Sequence, residues 1–274
     1  MTTLREAALG VVAEREPARK IEAALRLADT LPIGDGLALP DPGGLPGRPV
    51  RPELVHHVKV RQRSVRTREG HAALLHSIAH IEFNAVDLAA DIVWRFPGMP
   101  DAFYRDWALV AREEAKHFNL LRQRLQGLGF DYGDFPAHRA LWSMAERTCG
   151  DLVARLALVP RTLEARGLDA SPAVRAKLAQ VGDEEGAAII DVILREEIGH
   201  VAIGNHWYRW LCGQRGLDPI ETYDELARRH EAPRPLRPLN LEARRAAGFD
   251  EEELARLMTD HPADPRAIAD PHAA

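Results

Sequence analysis

The sequence contains the stretches REEAKH at 112–117 and REEIGH at 195–200, from which we predict the fold of this chain. Each contains the pattern Glu-x-x-His, which is formed by Glu114 with His117 and by Glu197 with His200. Residues three apart lie on the same face of an α-helix, so each pair can offer a carboxylate and an imidazole to one metal ion.

A further glutamate precedes each pattern by about one helical hairpin. Glu82 lies 32 residues before Glu114, and Glu164 lies 33 residues before Glu197. A four-helix bundle that binds two metal ions takes one Glu from each of two helices and a Glu-x-x-His from each of the other two. The sequence therefore predicts a dimetal site, whose candidate ligands are Glu82, Glu114, His117, Glu164, Glu197 and His200. Of these, Glu114 and Glu197 are also the candidate catalytic residues.

The alternative for a single Glu-x-x-His is a charged helix face in solvent, which is where such residues usually lie. Two observations argue against it here. The pattern occurs twice with its upstream glutamate, and Glu82 falls within an apolar stripe that includes Ile78, Ala85 and Val86. A carboxylate on a buried face is costly unless it is paired or binds metal.

Composition restricts the class of protein. The chain has 274 residues, of which 46% are hydrophobic, enough for one large core with appendages. Its net charge of −5 argues against a strongly basic nucleic-acid surface. The cysteines Cys149 and Cys212 are too far apart in sequence for a thiolate metal motif, and no apolar run has membrane length. We expect a cytoplasmic protein with no membrane partner.

The helical patterns divide the chain into three parts. Residues 1–53 predict N-terminal helices, broken at Glu16-Pro17, and a Pro/Gly-rich arm that is better explained as a tether than as a substrate cover. Residues 54–213 predict the four-helix bundle, with helices over 67–95, 101–127, 151–167 and 172–213, the last with a break near Gly182. Residues 214–274 predict a C-terminal tail that packs on the bundle and contains one helix near 250–259.

The central connection needs a short helix of its own. In such a bundle the connection between the second and third helices crosses the whole bundle, and an 11-residue loop over 128–138 reaches at most about 37 Å. We therefore expect a separate helix at 139–149. Pro160, four residues before Glu164, should kink or bulge the third helix, and Gly167 should end it.

Five strings of the sequence carry a resemblance to a known family. They are PGRPVRP at 46–52, HIEFNA at 80–85, YGDFPAH at 132–138, LVPR at 158–161 and LREEIGHV at 194–201. Over about 45–250 the chain resembles a bacterial ferritin-like family of unknown function. The resemblance implies a ferritin-like four-helix bundle, an all-α fold, in which all six ligand positions are kept. It implies no substrate, because the wider superfamily includes storage proteins, radical-generating subunits, monooxygenases and a tRNA hydroxylase.

Four glutamates and two histidines suit two Fe ions, or alternatively Mn or mixed Mn/Fe. The function expected first is an oxidoreductase that uses O₂ or a peroxide, with an electron donor, on a small organic or nucleoside-type substrate. The alternatives are metal storage, which usually needs a cage, and a tRNA-modifying hydroxylase that would use Arg61, Arg63, Arg66 and Arg68 on phosphates. A solvated helix start explains those arginines equally well, so no nucleic-acid partner is expected. The sequence also allows a homodimer.

Overall fold

The computed structural model describes residues 2–56, 59 and 63–259, and these residues form an all-helical protein with no strand. An isolated bridge pairs Leu54 with Ala137. The chain divides into two compact units, Met1–Trp142 and Ser143–Ala274. This division falls inside the region 54–213 that the sequence predicts as one bundle, and the three predicted parts stay a prediction. Among the described residues, no helix combines the length and the apolar character that crossing a membrane requires.

The first unit is built on a hairpin of two long helices. Helices α1 (Leu4–Ala13) and α2 (Pro17–Leu25) precede α3 (Arg68–Arg95) and α4 (Asp101–Gly127), which pack along each other. The Thr67 side chain accepts a hydrogen bond from the Gly70 N–H, so it caps α3, and Gly98 takes a positive φ of 83° in the turn. The predicted helices at 67–95 and 101–127 are confirmed. Pro100 is the N-cap residue of α4, and Asp101 is its first residue.

Two buried cations hold the N-terminal segment on this hairpin. The Lys20 ammonium is fully buried and pairs with the Asp87 carboxylate of α3. The Arg5 guanidinium donates to the Gly34 and Leu37 carbonyls, both at 3.0 Å, and to the Trp94 carbonyl at 2.7 Å. The start of the Pro/Gly-rich arm is therefore anchored, because Arg5 joins its backbone to the end of α3.

The predicted crossover helix is present, and the second unit contains an irregular third helix. Helix α5 (Ala140–Arg147) confirms the separate helix expected at 139–149. Helix α6 (Leu152–Leu158) continues as a π-helix (Val159–Glu164) and then as α7 (Ala165–Gln180). The irregularity expected at Pro160 is confirmed, since proline has no N–H for the α-helical ladder. The Thr162 hydroxyl bonds the Ala157 carbonyl at 2.9 Å and so satisfies one carbonyl of this distorted turn.

The predicted boundary between the third and fourth helices is wrong. Gly167 does not end the third helix, which runs through Pro172 to Gln180. Helix α8 spans Glu184–Arg215 instead of beginning at 172. The break lies at the expected place, because Gly182 has a φ of 78° and Asp183 caps α8 through the Gly186 N–H.

The C-terminal tail has more structure than the sequence interpretation assigns. It forms α9 (Pro219–Arg229), α10 (Leu241–Ala246) and α11 (Glu251–Thr259), of which only the last was expected. Asp218 caps α9 with Pro219 in the first turn, and Asn240 caps α10. Phe249 and Leu254 pack with Leu168 and Val201 in a buried cluster, so the tail completes the core of its own unit. Residues 260–274 of the predicted tail lie outside the described residues.

Candidate metal centre

Glu82 lies in the middle of α3, on a face that is buried along most of its length. Glu82 is 5% exposed, and its neighbours Ala79, Phe83 and Val86 are buried as well. The apolar stripe that predicts this helix therefore carries the carboxylate into the protein interior. Such a group needs a cation, a proton or several hydrogen-bond donors in order to be stable there.

Glu114 and His117 meet Glu82 from α4. Both are fully buried, and their spacing of three residues places them on one helical face. His117 Nδ1 lies 3.1 Å from Glu82 Oε2 and 3.4 Å from Glu114 Oε2. The candidate ligand atoms of these three residues all lie within 4.8 Å of one another. The structure thus brings together Glu82, Glu114 and His117, which we call the first trio.

The electrostatics of the first trio favour a bound positive charge. Burial raises the pKa of Glu82, and the nearby Glu114 carboxylate raises it further. Burial by itself lowers the pKa of His117, but its interactions with Glu114 and Glu82 outweigh burial and raise it above the usual range of histidine. The trio therefore holds a proton at neutral pH when no metal ion is bound. Two buried carboxylates and one imidazole suit a divalent cation, which would replace that proton, so this cluster could hold a metal ion.

The second trio, Glu164, Glu197 and His200, lies in the second unit. Glu197 and His200 are buried on α8, where His200 Nδ1 is 3.4 Å from Glu197 Oε1. Glu164 is the last residue of the π-helix, which packs against α8, and both of its carboxylate oxygens are buried. The structure brings Glu197 and His200 together as a pair and places Glu164 on the neighbouring segment.

The glutamates next to the ligands differ from them in burial. Glu113 and Glu196 are only partly buried, whereas Glu114 and Glu197 are buried. Glu113 and Glu196 also have no histidine three residues on, so they belong to neither Glu-x-x-His pattern. His206, six residues after His200, is exposed.

A polar network that sequence reasoning did not assign borders the first trio. His80, two residues before Glu82, has Nδ1 2.8 Å from the Tyr132 hydroxyl and Nε2 2.8 Å from the His138 carbonyl. The Tyr132 ring lies 5.2 Å from Phe83 and 5.0 Å from Phe118, centroid to centroid. The network ties the loop after α4 to both helices that carry the trio. Its only sign in the sequence is that these residues occur in the strings that carry the family resemblance.

Arg63 and Arg68, two of the arginines considered for phosphate binding, contact other residues, whereas Arg66 is exposed. Arg63 pairs with Glu69, with 3.4 Å between nitrogen and oxygen. The Arg68 guanidinium donates to the Leu128 carbonyl at 2.6 Å and lies over the Phe130 ring. Arg61 lies outside the described residues.

Comparisons with known proteins agree with the resemblance to a bacterial family of unknown function. A family model described as "Protein of unknown function (DUF455)" matches residues 13–255. An "Uncharacterized protein" of Haemophilus influenzae is 49% identical over 213 residues, which cover 75% of this chain and 74% of that relative. No solved structure matches the chain.

Proposed function

We propose a function for this chain, which belongs to the DUF455 family of proteins of unknown function: it is a dimetal-carboxylate oxidoreductase. It would use O₂ or a peroxide to oxidise or hydroxylate a small organic or nucleoside-type substrate. The observation that carries the proposal is the first trio, two carboxylates and an imidazole buried within 4.8 Å of one another.

The second trio supplies the other half of the proposed site. Its composition is the same, two glutamates and one histidine, and the sequence rule for dimetal bundles joins the two trios. In this proposal α3, α4, the segment from α6 to α7, and α8 are the four helices of a ferritin-like bundle. The sequence pattern is what joins the two trios in this proposal.

The ligand set points to Fe or Mn. Carboxylate oxygens and imidazole nitrogens suit both metals, and the described part of the chain adds no thiolate that would favour a softer ion. Two such ions, when bound, would supply the electrons that O₂ or a peroxide takes up.

The side chains contribute what surrounds this chemistry. The carboxylates of Glu82 and Glu114 would bind the metal and offset its charge, and the imidazole of His117 would be a third ligand. The apolar residues along α3 exclude bulk water. When no metal is bound, a proton held between His117 and Glu82 offsets part of the buried negative charge.

Metal content tests the proposal directly. The full chain is loaded anaerobically with Fe(II) or Mn(II), freed of excess metal and measured by elemental analysis. We expect about two ions per chain, with loss of at least one in Glu114→Gln and retention of both in the matched control Glu113→Gln. The proposed ligands are wrong if Glu114→Gln and His200→Ala both keep full metal content.

The same preparation separates the alternative functions. Storage predicts a large assembly that takes up many iron atoms per chain, which size-exclusion chromatography and iron analysis would detect. A tRNA hydroxylase predicts RNA binding that weakens steeply as salt is raised. The oxidoreductase predicts O₂ consumption by the metal-loaded protein that Glu114→Gln removes and Glu113→Gln keeps.

A further inference from the structure

A buried ion pair connects the π-helix that ends at Glu164 to the C-terminal helix α11. The Arg161 guanidinium donates through Nη2 to Glu253 Oε1 at 2.6 Å, and the two residues are 4% and 7% exposed. Among the residues that the structure describes, the Arg161 side chain makes no other hydrogen bond, because its Nε and Nη1 are buried without an acceptor. Charge-assisted hydrogen bonds are about twice as strong as neutral ones. We call this ion pair the Arg161–Glu253 anchor.

Three aromatic rings surround the same guanidinium. Its Cζ lies 4.4 Å from the centroid of the Tyr208 ring, 5.4 Å from that of Phe249 and 5.5 Å from that of Tyr223. Cation–π contacts at these distances stabilise the charged guanidinium in the interior. The rings belong to α8, to the segment before α11 and to α9, so Arg161 joins the π-helix to all three.

The other oxygen of the Glu253 carboxylate binds α8. Glu253 Oε2 pairs with Arg209, whose guanidinium also donates to the Gly248 carbonyl at 2.7 Å. Arg209 lies on the helix that carries Glu197 and His200. One buried carboxylate therefore joins the π-helix to α8, which are the two segments that carry the second trio. Its removal would leave the guanidinium of the π-helix buried without a counter-ion, which is costly.

We propose that Glu253 is a positioning residue of the second trio. It holds the π-helix against α8 and so sets the position of Glu164 relative to the Glu-x-x-His pair of that helix. Glu164 is the last residue of the π-helix, three residues after Arg161, so a shift of this segment moves its carboxylate. A π-helix is rare in proteins, and contacts outside the segment are needed to favour it over a regular helix. Where it concerns metal, this inference rests on the proposed function.

Hydrogen exchange of the metal-free full chain tests the anchor without any contribution from metal. Backbone amides in peptides that cover 158–166 are followed by mass spectrometry in the parent and in Glu253→Gln, which keeps the size of the side chain and removes its charge. We expect exchange over 158–166 to be at least about tenfold faster in the variant, because a charge-assisted hydrogen bond between buried groups is lost. An unchanged exchange rate would overturn the proposal.

The matched control is Glu252→Gln, which makes the same change at the next residue of α11. Glu252 is exposed and pairs with Arg256 on the surface. Exposed ion pairs contribute little to stability, so the exchange rate over 158–166 should stay within about twofold of the parent rate.

A double-variant cycle tests whether the effect of Glu253 passes through Arg161. Arg161→Gln should also raise the exchange rate over 158–166. The variant that carries both changes should exchange no faster than Arg161→Gln alone, because the two substitutions remove the same contact. Additive effects of the two substitutions would refute the anchor as the cause.

The parent protein decides the same point if Glu253→Gln fails to fold. As urea is raised, the amides over 158–166 and 251–259 should lose protection with the same urea dependence, because the anchored segments open together. Opening of α11 at lower urea, with the π-helix still protected, would overturn the proposal.

Metal binding tests whether the anchor positions Glu164. Calorimetric titration with Co(II) gives the affinities, and the visible absorption spectrum at saturation reports the coordination geometry. We expect Glu253→Gln to bind one of two ions about 10- to 100-fold more weakly and to change the spectrum at saturation. Leu178→Ala removes a buried side chain of α7 that makes none of these contacts, so it should lower the urea midpoint and leave the spectrum unchanged.

The metal and exchange measurements fail in distinguishable ways. Faster exchange in Glu253→Gln with unchanged Co(II) affinity and spectrum would mean that the anchor stabilises the tail without positioning Glu164, which refutes the assignment. A parent protein that binds no metal would refute the proposed function, and the exchange measurements would still decide whether the anchor holds the π-helix.

Discussion

Alanine at Gly204 tests whether the contact between α8 and the π-helix sets the position of Glu164. Gly204 is buried on α8, facing the ring of Pro160. A Cβ placed on Gly204 would lie 2.5 Å from Pro160 Cβ and 2.8 Å from Pro160 Cγ, whereas ordinary contact begins at 3.4 Å. The two helical segments must therefore separate by about 1 Å, because a proline ring has no rotamer that moves it aside.

The magnitude follows from two opposing effects. Overpacking of this kind costs about 1–3 kcal/mol, while replacing a helical glycine by alanine stabilises by roughly 0.5–1 kcal/mol. We expect Gly204→Ala to lower the free energy of unfolding by about 0.5–2 kcal/mol. Because Glu164 lies four residues after Pro160 in the displaced π-helix, metal affinity in the second trio should fall by about 10- to 100-fold, as when a support of a metal ligand is removed.

Two measurements on each variant separate packing from metal binding. Urea denaturation of the metal-free protein gives the change in unfolding free energy, and calorimetric titration with Mn(II) gives affinity and stoichiometry. Gly199→Ala is the matched control, since Gly199 is exposed on the same helix with nothing within 4 Å of an added Cβ. It should stabilise the protein by about 0.5–1 kcal/mol and leave the affinity unchanged.

The reasoning fails if Gly204→Ala matches Gly199→Ala in both measurements. That result would mean that the π-helix accommodates the methyl group and that its contact with α8 does not position Glu164. A loss of stability with unchanged metal affinity would keep the packing argument and remove Glu164 from the ligand set.

Three further predictions concern buried side chains that can ionise. Lys20→Met leaves the Asp87 carboxylate buried without its cation and should cost about 3–5 kcal/mol in urea denaturation, and Lys20→Met/Asp87→Leu should recover most of that loss. Burial lowers the pKa of His76 to about 4. The contribution of the neutral imidazole to the free energy of unfolding is therefore complete above pH 6.5 and is lost as the pH falls toward 4. Unfolding free energy should drop by about 2 kcal/mol more between pH 7.5 and pH 5 in the parent than in His76→Gln. The Glu197→Gln protein should lose at least one metal ion per chain by elemental analysis. Its control, Glu196→Gln, changes the half-buried neighbour and should keep both ions. Equal losses in the two variants would contradict the assignment of Glu197 as a ligand.

The long helices of the first unit could be predicted because local and tertiary signals agree there. The cap at Thr67, the apolar stripe through Glu82 and the turn at Gly98 all indicate the same boundaries. Helix α5 could be predicted from chain length, since a loop without it would be too short. Helix α9 was missed although its signals are present, an Asp218 cap followed by Pro219 in the first turn.

The end of the third helix could not be predicted from the local sequence, because packing against other helices overrides the residues that usually end a helix. Gly167 and Pro172 both argue for a stop, and an interior proline costs about 3 kcal/mol. Leu168, Val174 and Leu178 are buried on α7, which packs against α8, and each buried side chain of this size contributes roughly 1.5–3 kcal/mol. Their sum exceeds the cost of the breakers, so the helix continues to Gln180.

The candidate ligands show the same division between local and tertiary information. Glu82, Glu114 and His117 lie in regular helices, where a period of 3.6 residues carries each of them to the buried face. Glu164 is the last residue of a π-helix, whose hydrogen bonds span one more residue than those of an α-helix, so its side chain is turned by up to about 100° relative to a regular projection. Pro160 marks where the irregularity falls, but its size depends on how closely α8 approaches at Gly204. The direction of Glu164 is therefore a property of the packed second unit, which is why a change at a glycine 40 residues away in sequence is its sharpest test.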